Sequence, residues 1–197
     1  MLFIILLGLP LLDVFYSCCT CNYETEKKQY SNTGFVLKNI DNSGETPMES
    51  LSESINKNAY GIRLQISRER ISWSNKNQVS SLFTSSAYAM SCDCPPAISY
   101  LPYDKIQSIK IIALQKFNND KPANSDITEY FKTHRTYLDV SETIDNLNRT
   151  FSETLNESEE IDYLLMESPS EIQQQFKVII AFENKPAVEL ITTVNLI

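Results

Sequence analysis

Residues 174–196 have the sequence QQFKVIIAFENKPAVELITTVNL, and this stretch decides the predicted fold. Hydrophobic side chains occupy every second position up to residue 182 and again from residue 188, which is the period of a strand with one buried face. Asn184-Lys185-Pro186 separates the two runs and is typical of a turn. The stretch is therefore expected to form a β-hairpin. Its first strand buries Phe176, Val178, Ile180 and Phe182.

The same signals predict further strands upstream. Residues 60–66 alternate as cleanly as the hairpin does. Residues 106–117 carry apolar side chains on both faces, with Ile109 and Ile111 on one and Ile112 on the other, which predicts a central strand buried on both sides. The remaining strands are expected at residues 35–40, 82–90 and 161–166.

Two segments carry helix signals. Residues 126–132 begin with Asp126, which can cap a short helix, and Glu129 stands three residues later as in a capping box. Residues 139–160 are polar and acidic with apolar side chains at helical spacing, so they form either one helix or an ordered insertion. Many short strands with little helix favour a mainly β protein, a β-sandwich of immunoglobulin-like or transthyretin-like type with one or two short helices.

The N-terminal sequence MLFIILLGLPLLDVFYSCCTC resembles an export signal. Its apolar run ends at Leu12, short of the roughly 20 residues that a membrane-spanning helix needs. Phe15-Tyr16-Ser17-Cys18 resembles a relaxed lipobox, in which Cys18 becomes the lipid-bearing first residue of the mature chain. An ordinary cleaved signal and a buried segment of the domain are the alternatives.

This interpretation divides the chain into three parts. Residues 1–17 are a lipoprotein-type signal peptide, residues 18–33 are a lipidated N-terminus and tether, and residues 34–197 are a single β-sandwich domain. The protein is then expected in the cell envelope, anchored by its lipid at the periplasmic or cell-surface face of the outer membrane.

The chain has five cysteines, an odd number that calls for an explanation in an exported protein. Lipidation of Cys18 would leave four, which occur as the pairs Cys19 with Cys21 and Cys92 with Cys94. Two disulfides between these pairs are the favoured hypothesis, because disulfides persist outside the cytoplasm. Free thiols and a zinc site remain alternatives, although the C-x-C spacing is tighter than the usual zinc knuckle.

The charge balance argues against nucleic acid as a partner. The chain carries 17 basic and 25 acidic residues, for a net charge of −8. No basic cluster of the kind that contacts phosphates is present. The expected partners are the membrane, through the lipid anchor, and a glycan or another envelope protein.

The sequence contains no recognisable catalytic motif. His134 is the only histidine and stands in a polar, basic segment, so no catalytic residue, cofactor or resident metal is predicted. The acidic run at residues 157–162 offers calcium ligands without EF-hand spacing and is expected to be a solvated loop. A glycosidase would need two carboxylates at a fixed separation, and nothing in the sequence selects such a pair.

Aromatic side chains in predicted loops are candidates for stacking on sugar rings. These candidates are weighed against the alternative that some of them belong to the hydrophobic core. They are Trp73, Tyr100, Tyr103 and Tyr137.

Four segments of the chain resemble a family of uncharacterised lipoproteins from Bacteroides and its relatives. They are AYAMSC at residues 87–92, DKIQSIKII at 104–112, FNNDKPANSDITEYF at 117–131 and FKVIIAFEN at 176–184. Asn124 stands where glycine is common in that family. The resemblance implies export and lipidation, and it implies no active site.

The sequence thus predicts a lipid-anchored, non-enzymatic binding or interaction module of the cell envelope. A structural or assembly subunit of a surface complex is the second hypothesis, and a glycan-active enzyme is the third. Aromatic side chains converging on one groove would favour the first, a long unpaired strand edge the second, and paired carboxylates in a cleft the third.

Overall fold

A computed structural model describes residues 25–71 and 96–197, which form two β-sheets packed on a shared core. Between the strands lie a short helix, α1 (Ile144–Leu147), and 3-10 turns at Thr128–Tyr130 and Val140–Thr143. The strands are β1 (Glu26–Asp41), β2 (Met48–Glu49), β3 (Ser54–Ile55), β4 (Tyr60–Ile71), β5 (Ile98–Pro102), β6 (Ile106–Ala113), β7 (Ser125–Asp126), β8 (Phe131–Thr133), β9 (Phe151–Ser152), β10 (Ser158–Leu165), β11 (Gln173–Phe182) and β12 (Val188–Leu196).

The large sheet has the strand order β8-β10-β4-β1-β5-β9, and β2 also pairs with β1. The small sheet has the order β3-β12-β11-β6-β7. The β1–β5 and β3–β12 pairs are parallel, and the other pairs are antiparallel. The mainly β, two-sheet fold with little helix confirms the prediction.

The strands predicted from alternation form the two walls of the core. The hairpin is β11 and β12, and the alternating residues 60–66 begin β4, as expected. Their inward side chains are buried together between the sheets. This set consists of Tyr60, Ile62, Leu64, Ile66, Phe176, Val178, Ile180 and Phe182.

β6 departs from its prediction in length and in burial. It ends at Ala113, four residues before the predicted end at residue 117. Ile109 and Ile111 face the core, whereas Ile112 on the opposite face is only partly buried. The opposite face of the small sheet is therefore not covered by a second layer in the described part of the chain.

The predicted tether, residues 18–33, is wrong from Glu26 onward, because β1 begins there and pairs with β4 and β5. Tyr30 and Asn32 are buried although the surrounding sequence is polar. A register shift between Asn32 and Gly34 adds one residue to β1, so the inward positions change from even to odd numbers. A single alternating pattern therefore does not extend through the whole strand.

The two segments with helix signals contain only short helical elements, so one long helix at residues 139–160 is excluded and an ordered insertion is what the structure has. Asp126 Oδ1 accepts a hydrogen bond from the Thr128 N–H at 2.9 Å, but only a 3-10 turn follows before β8. Glu129 forms an ion pair with Lys121 at 2.8 Å and does not bond back to the cap. Residues 139–160 contain a 3-10 turn, α1, β9 and the start of β10.

Asn124 occupies a turn position whose backbone conformation suits glycine, as the resemblance implied. Its φ angle is 66°, in the left-handed region that favours glycine. Asparagine tolerates this region better than most other side chains do. The turn into β7 therefore keeps its shape with either residue.

Several predictions concern residues outside the described ones. They are the signal peptide, the lipid attachment at Cys18, the candidate disulfide residues Cys19, Cys21, Cys92 and Cys94, the strand at residues 82–90, and Trp73. Within the described ranges, no helix has the length and apolar character needed to cross a membrane.

Candidate functional site

A charged cleft of about 380 Å³ opens on the outer face of the large sheet. Its floor comes from β4 and β10, and its walls come from the loop before β2 and the turn after β8. We call this site the charged cleft. It is lined by Thr46, Pro47, Arg63, Thr133, His134, Arg135, Glu160, Ile161 and Asp162.

The floor is held by a bidentate ion pair across the two strands. Arg63 and Asp162 are register neighbours. Arg63 Nε and Nη2 donate to the two carboxylate oxygens of Asp162 at 2.6 and 2.7 Å. Glu160 lies 3.4 Å from the same guanidinium. The hydrogen bond to Asp162 is the main cause that raises the pKa of Arg63, so the floor remains a fixed, charged surface.

The acidic run at residues 157–162 was expected to be a solvated loop, and this expectation is wrong. Residues 158–162 belong to β10, where successive side chains point to opposite faces. Glu159 points inward to Arg68, and Glu160 and Asp162 point outward to Arg63. The alternation of the strand thus separates the acidic residues between two different arginines.

The turn after β8 carries the second half of the charged cleft. The Thr133 hydroxyl accepts the Leu138 N–H at 2.9 Å and lies 2.7 Å from the Thr136 hydroxyl, which closes the turn tightly. Arg135 and Tyr137 have φ angles of 71° and 53°, in the left-handed region that is strained for side chains of this size. Such strain is common at functional sites and is tolerated here because the turn is held at both ends.

The charged side chains that line the cleft balance one another, and the Arg135 guanidinium is the one among them that is available to a ligand. Two arginines and two carboxylates line the cleft, so their formal charges cancel. Arg135 is exposed and forms no ion pair with any residue that the structure describes. His134 contributes its backbone N–H to the Asp162 carbonyl oxygen at 2.9 Å, which ties the turn to β10.

The aromatic candidates do not converge on one groove. Tyr100 is 2% exposed and packs with Tyr30 and Phe151 in a second, smaller core, so its prediction as a ligand-stacking residue is wrong. Tyr103 is 54% exposed and follows β5, away from the turn after β8. Tyr137 is 61% exposed and belongs to the same turn as Arg135, so it stands next to the charged cleft.

Paired carboxylates do line the cleft, but both are engaged by one guanidinium. Glu160 and Asp162 each contact Arg63, which leaves neither carboxylate as an isolated acid or base. In the described parts of the chain, no three histidine, cysteine, aspartate or glutamate side chains gather in the way a metal ion requires.

The small sheet has an open edge along β12. The N–H groups of Asn195 and Ile197 donate to backbone carbonyls at β3, which covers only the end of β12. Because the backbone groups of alternate residues point to the same side of a strand, those of Glu189 and Ile191 also point to this edge. Within the described residues, no hydrogen-bond partner covers the edge at these two positions.

The sequence patterns indicate His134, Tyr137 and the acidic run, but they do not place these residues near Arg63 or Arg135. The residues of the Arg63–Asp162 pair are 99 positions apart in sequence. The sequence does indicate the orientation of Arg63, because residues 60–66 alternate so regularly that this side chain must face away from the core. Its outward partner depends on the strand order, which a single sequence does not disclose.

Comparisons with known proteins give one family and one distant structural likeness. A protein-family profile described as "Domain of unknown function (DUF5034)" matches residues 32–193. No curated protein matches the chain. Among solved structures, the AgI/II polypeptide BspA C-terminal domain of Streptococcus agalactiae matches 82% of this chain at 9% identity, with a TM-score of 0.28. The match covers 49% of that solved chain, so this chain spans about half its length.

Proposed function

The chain belongs to the DUF5034 family, whose function is unknown, and from this premise we propose that it is a non-enzymatic binding module of the cell envelope that recognises a glycan in the charged cleft. The observation that carries the proposal is the cleft itself, with a rigid floor of planar polar groups and a strained turn that presents Arg135. Planar carboxylate and guanidinium groups can each form two hydrogen bonds to a neighbouring pair of hydroxyl groups.

The balanced charge of the cleft supports a neutral, polyhydroxylated ligand over a strongly anionic one. Tyr137 is exposed in the turn that also carries Arg135, so its ring offers an apolar face on which a sugar can stack. Because Arg63 holds both carboxylates, the cleft supports binding better than glycoside hydrolysis, which needs one carboxyl group as an acid and the other as a base or nucleophile.

Replacing Arg135 by Ala is expected to weaken glycan binding by about tenfold or more, since a hydrogen bond to a charged group contributes about 1.5–3 kcal/mol. The wild-type protein is first screened on an array of neutral and acidic oligosaccharides, and the best ligand is then titrated by calorimetry. Tyr137→Ala is expected to weaken binding as well. Tyr103→Ala removes a tyrosine of similar exposure away from the cleft and should leave the affinity unchanged. Equal losses of glycan affinity in all three variants would contradict the assignment of the binding site to the charged cleft.

The cellular location of the protein forms the second part of the proposal. The uncharged apolar run before Asp13, and the small residue Ser17 directly before Cys18, support export with lipidation of Cys18. A chain with two or more acyl groups on this residue remains stably on a membrane, whereas one acyl chain binds only marginally. We place the binding module at the cell envelope on this basis.

Cys18→Ala is expected to release the mature protein from the membrane fraction or to block its processing. The measurement is membrane fractionation with metabolic labelling by a fatty acid. Cys19→Ala is the matched control, because it removes a neighbouring thiol and should retain the label. Labelling of the Cys18→Ala protein at the wild-type level would show that the lipid is attached elsewhere or that no lipobox is used.

The open edge of β12 favours a second candidate function, assembly into a surface complex by strand addition. An extended segment of a partner can pair with the free backbone groups of Glu189 and Ile191. The Ile191 side chain is exposed on this strand, which would give the added strand an apolar contact.

Ile191→Pro is expected to abolish such assembly and to preserve the fold, because proline is tolerated at an edge where its missing N–H faces outward. Ile191→Val retains the N–H and an apolar β-branched side chain and is the control. Crosslinking in intact cells should give a larger species for the wild type and for Ile191→Val, and not for Ile191→Pro. A crosslinked species that persists in all three proteins would exclude β12 as the contact.

A further inference from the structure

The turn between β11 and β12 carries a lysine that reaches from the small sheet to the large sheet. Lys185 Nζ donates a hydrogen bond to the backbone carbonyl oxygen of Asn32 at 2.7 Å. Asp104 Oδ2 lies 3.9 Å from the same Nζ. Three residues that are distant in sequence thus meet beside the irregularity in β1.

The surroundings of this amine are aromatic. Lys185 Nζ lies 4.0 Å from the centroid of the Phe182 ring and 5.6 Å from that of Phe35. Removal from water lowers the pKa of Lys185, and the nearby carboxylate of Asp104 opposes this shift. A lower pKa increases the fraction of the amine that is uncharged and therefore nucleophilic.

The side chain of Asn32 is buried, and no residue in the described ranges hydrogen-bonds to it. Asn32 is 1% exposed, and neither Oδ1 nor Nδ2 has a hydrogen-bond partner among the described residues. Asp104 is also buried, and it accepts a hydrogen bond from the Ser31 hydroxyl at 3.3 Å. Buried polar groups in native proteins are normally satisfied, so an orphaned amide in the residue whose main-chain oxygen binds Lys185 needs an explanation.

We propose that Lys185 and Asn32 react to form an intramolecular amide bond. The uncharged Nζ attacks Cγ of Asn32, a C–N bond forms, and the Cγ–Nδ2 bond breaks with release of ammonia. Asp104 accepts a proton from Nζ and delivers it to the departing nitrogen. The reaction consumes no oxidant, reductant or other co-reactant. Its product covalently ties β1 to the turn of the hairpin.

Trypsin digestion of the reduced full chain followed by mass spectrometry tests the proposal. Trypsin cuts after Lys28, Lys38 and Lys177, and Pro186 protects the bond that follows Lys185. The expected product joins residues 29–38 to residues 178–197 and is lighter than the two peptides together by one ammonia. The two peptides found separately at their unmodified masses would overturn the proposal. A bond from Lys185 to Asp104, with loss of one water, would overturn the role of Asn32.

Variants separate the roles of the three residues. Lys185→Arg and Asn32→Ala are expected to lose the joined peptide completely. Asp104→Asn preserves the shape of the side chain and is expected to lose most of it, whereas undiminished linkage would exclude Asp104 as the proton carrier. Lys177→Arg replaces a surface lysine on β11 and should retain the joined peptide. The wild-type digest decides the proposal by itself if a variant does not fold.

Discussion

Replacing Arg68 by Met is expected to lower the free energy of unfolding by about 3–5 kcal/mol, because it leaves a carboxylate without its buried partner. The side chain of Arg68 has no exposure to solvent, and its Nη2 lies 2.6 Å from Glu159 Oε2. The guanidinium also packs against the rings of Phe151 and Tyr30, with centroids at 5.0 and 5.7 Å. Methionine fills part of this space but cannot compensate the charge of Glu159. Arg149, at 3.5 Å, is a more exposed and weaker partner.

Chemical denaturation of the purified protein measures this loss. Arg70→Met is the matched control on the same strand, because Arg70 is exposed and, among the residues that the structure describes, its guanidinium lies over the Tyr100 ring at 5.4 Å and forms no ion pair. Arg70→Met is expected to lower the free energy of unfolding by less than about 1 kcal/mol. The double variant Arg68→Met/Glu159→Met should recover much of the stability, because an apolar pair of similar volume often replaces a buried ion pair without loss. A double variant as unstable as Arg68→Met would show that packing, and not the unpaired carboxylate, sets the cost.

Gly61→Ala is expected to cost about 1–3 kcal/mol through overpacking. A Cβ atom at this position would lie 2.8 Å from the Tyr163 carbonyl oxygen and 2.9 Å from Leu164 Cδ2. It would also lie 3.0 Å from Ile40 Cγ1. The first contact is with backbone of the neighbouring strand β10, so the added methyl group can fit only if the pairing of β4 with β10 shifts.

Gly44→Ala is the control for this substitution. The nearest atom to its added Cβ would be the Thr46 carbonyl oxygen at 3.9 Å, which is an ordinary contact. Its effect on the free energy of unfolding is expected to stay within about 0.5 kcal/mol. Because Gly61 lies on β4 two residues before Arg63, the Gly61→Ala variant should also weaken ligand binding in the charged cleft. Similar stabilities for the two variants would contradict the steric argument.

The elements that sequence patterns predicted correctly are those whose signal is local. The hairpin and the start of β4 each bury one face, so alternation alone locates their inward side chains. The strand predicted at residues 35–40 misses the N-terminal part of β1 for the opposite reason. Tyr30 and Asn32 lie in a polar segment, and the extra residue before Gly34 breaks the alternation, so no single period marks the strand.

The charged cleft and the second core depend on contacts that no local pattern contains. The Arg68–Glu159 pair joins residues 91 positions apart, and it buries an arginine that composition alone would place at the surface. The two tyrosines of the second core, Tyr30 and Tyr100, come from neighbouring strands that pair in parallel. Knowledge of the strand order is needed before either cluster can be recognised.

The strand order also sets when the protein can fold during synthesis. β4 lies between β1, which precedes it, and β10, whose last residue is Leu165. The centre of the large sheet therefore cannot be completed until most of the chain has left the ribosome, and such long-range pairing makes folding slow. The β11–β12 hairpin is local, but it is synthesised after every strand of the large sheet. Until then the inward faces of β1 and β4 lack the opposing sheet, so the nascent chain must avoid aggregation until the hairpin has been synthesised.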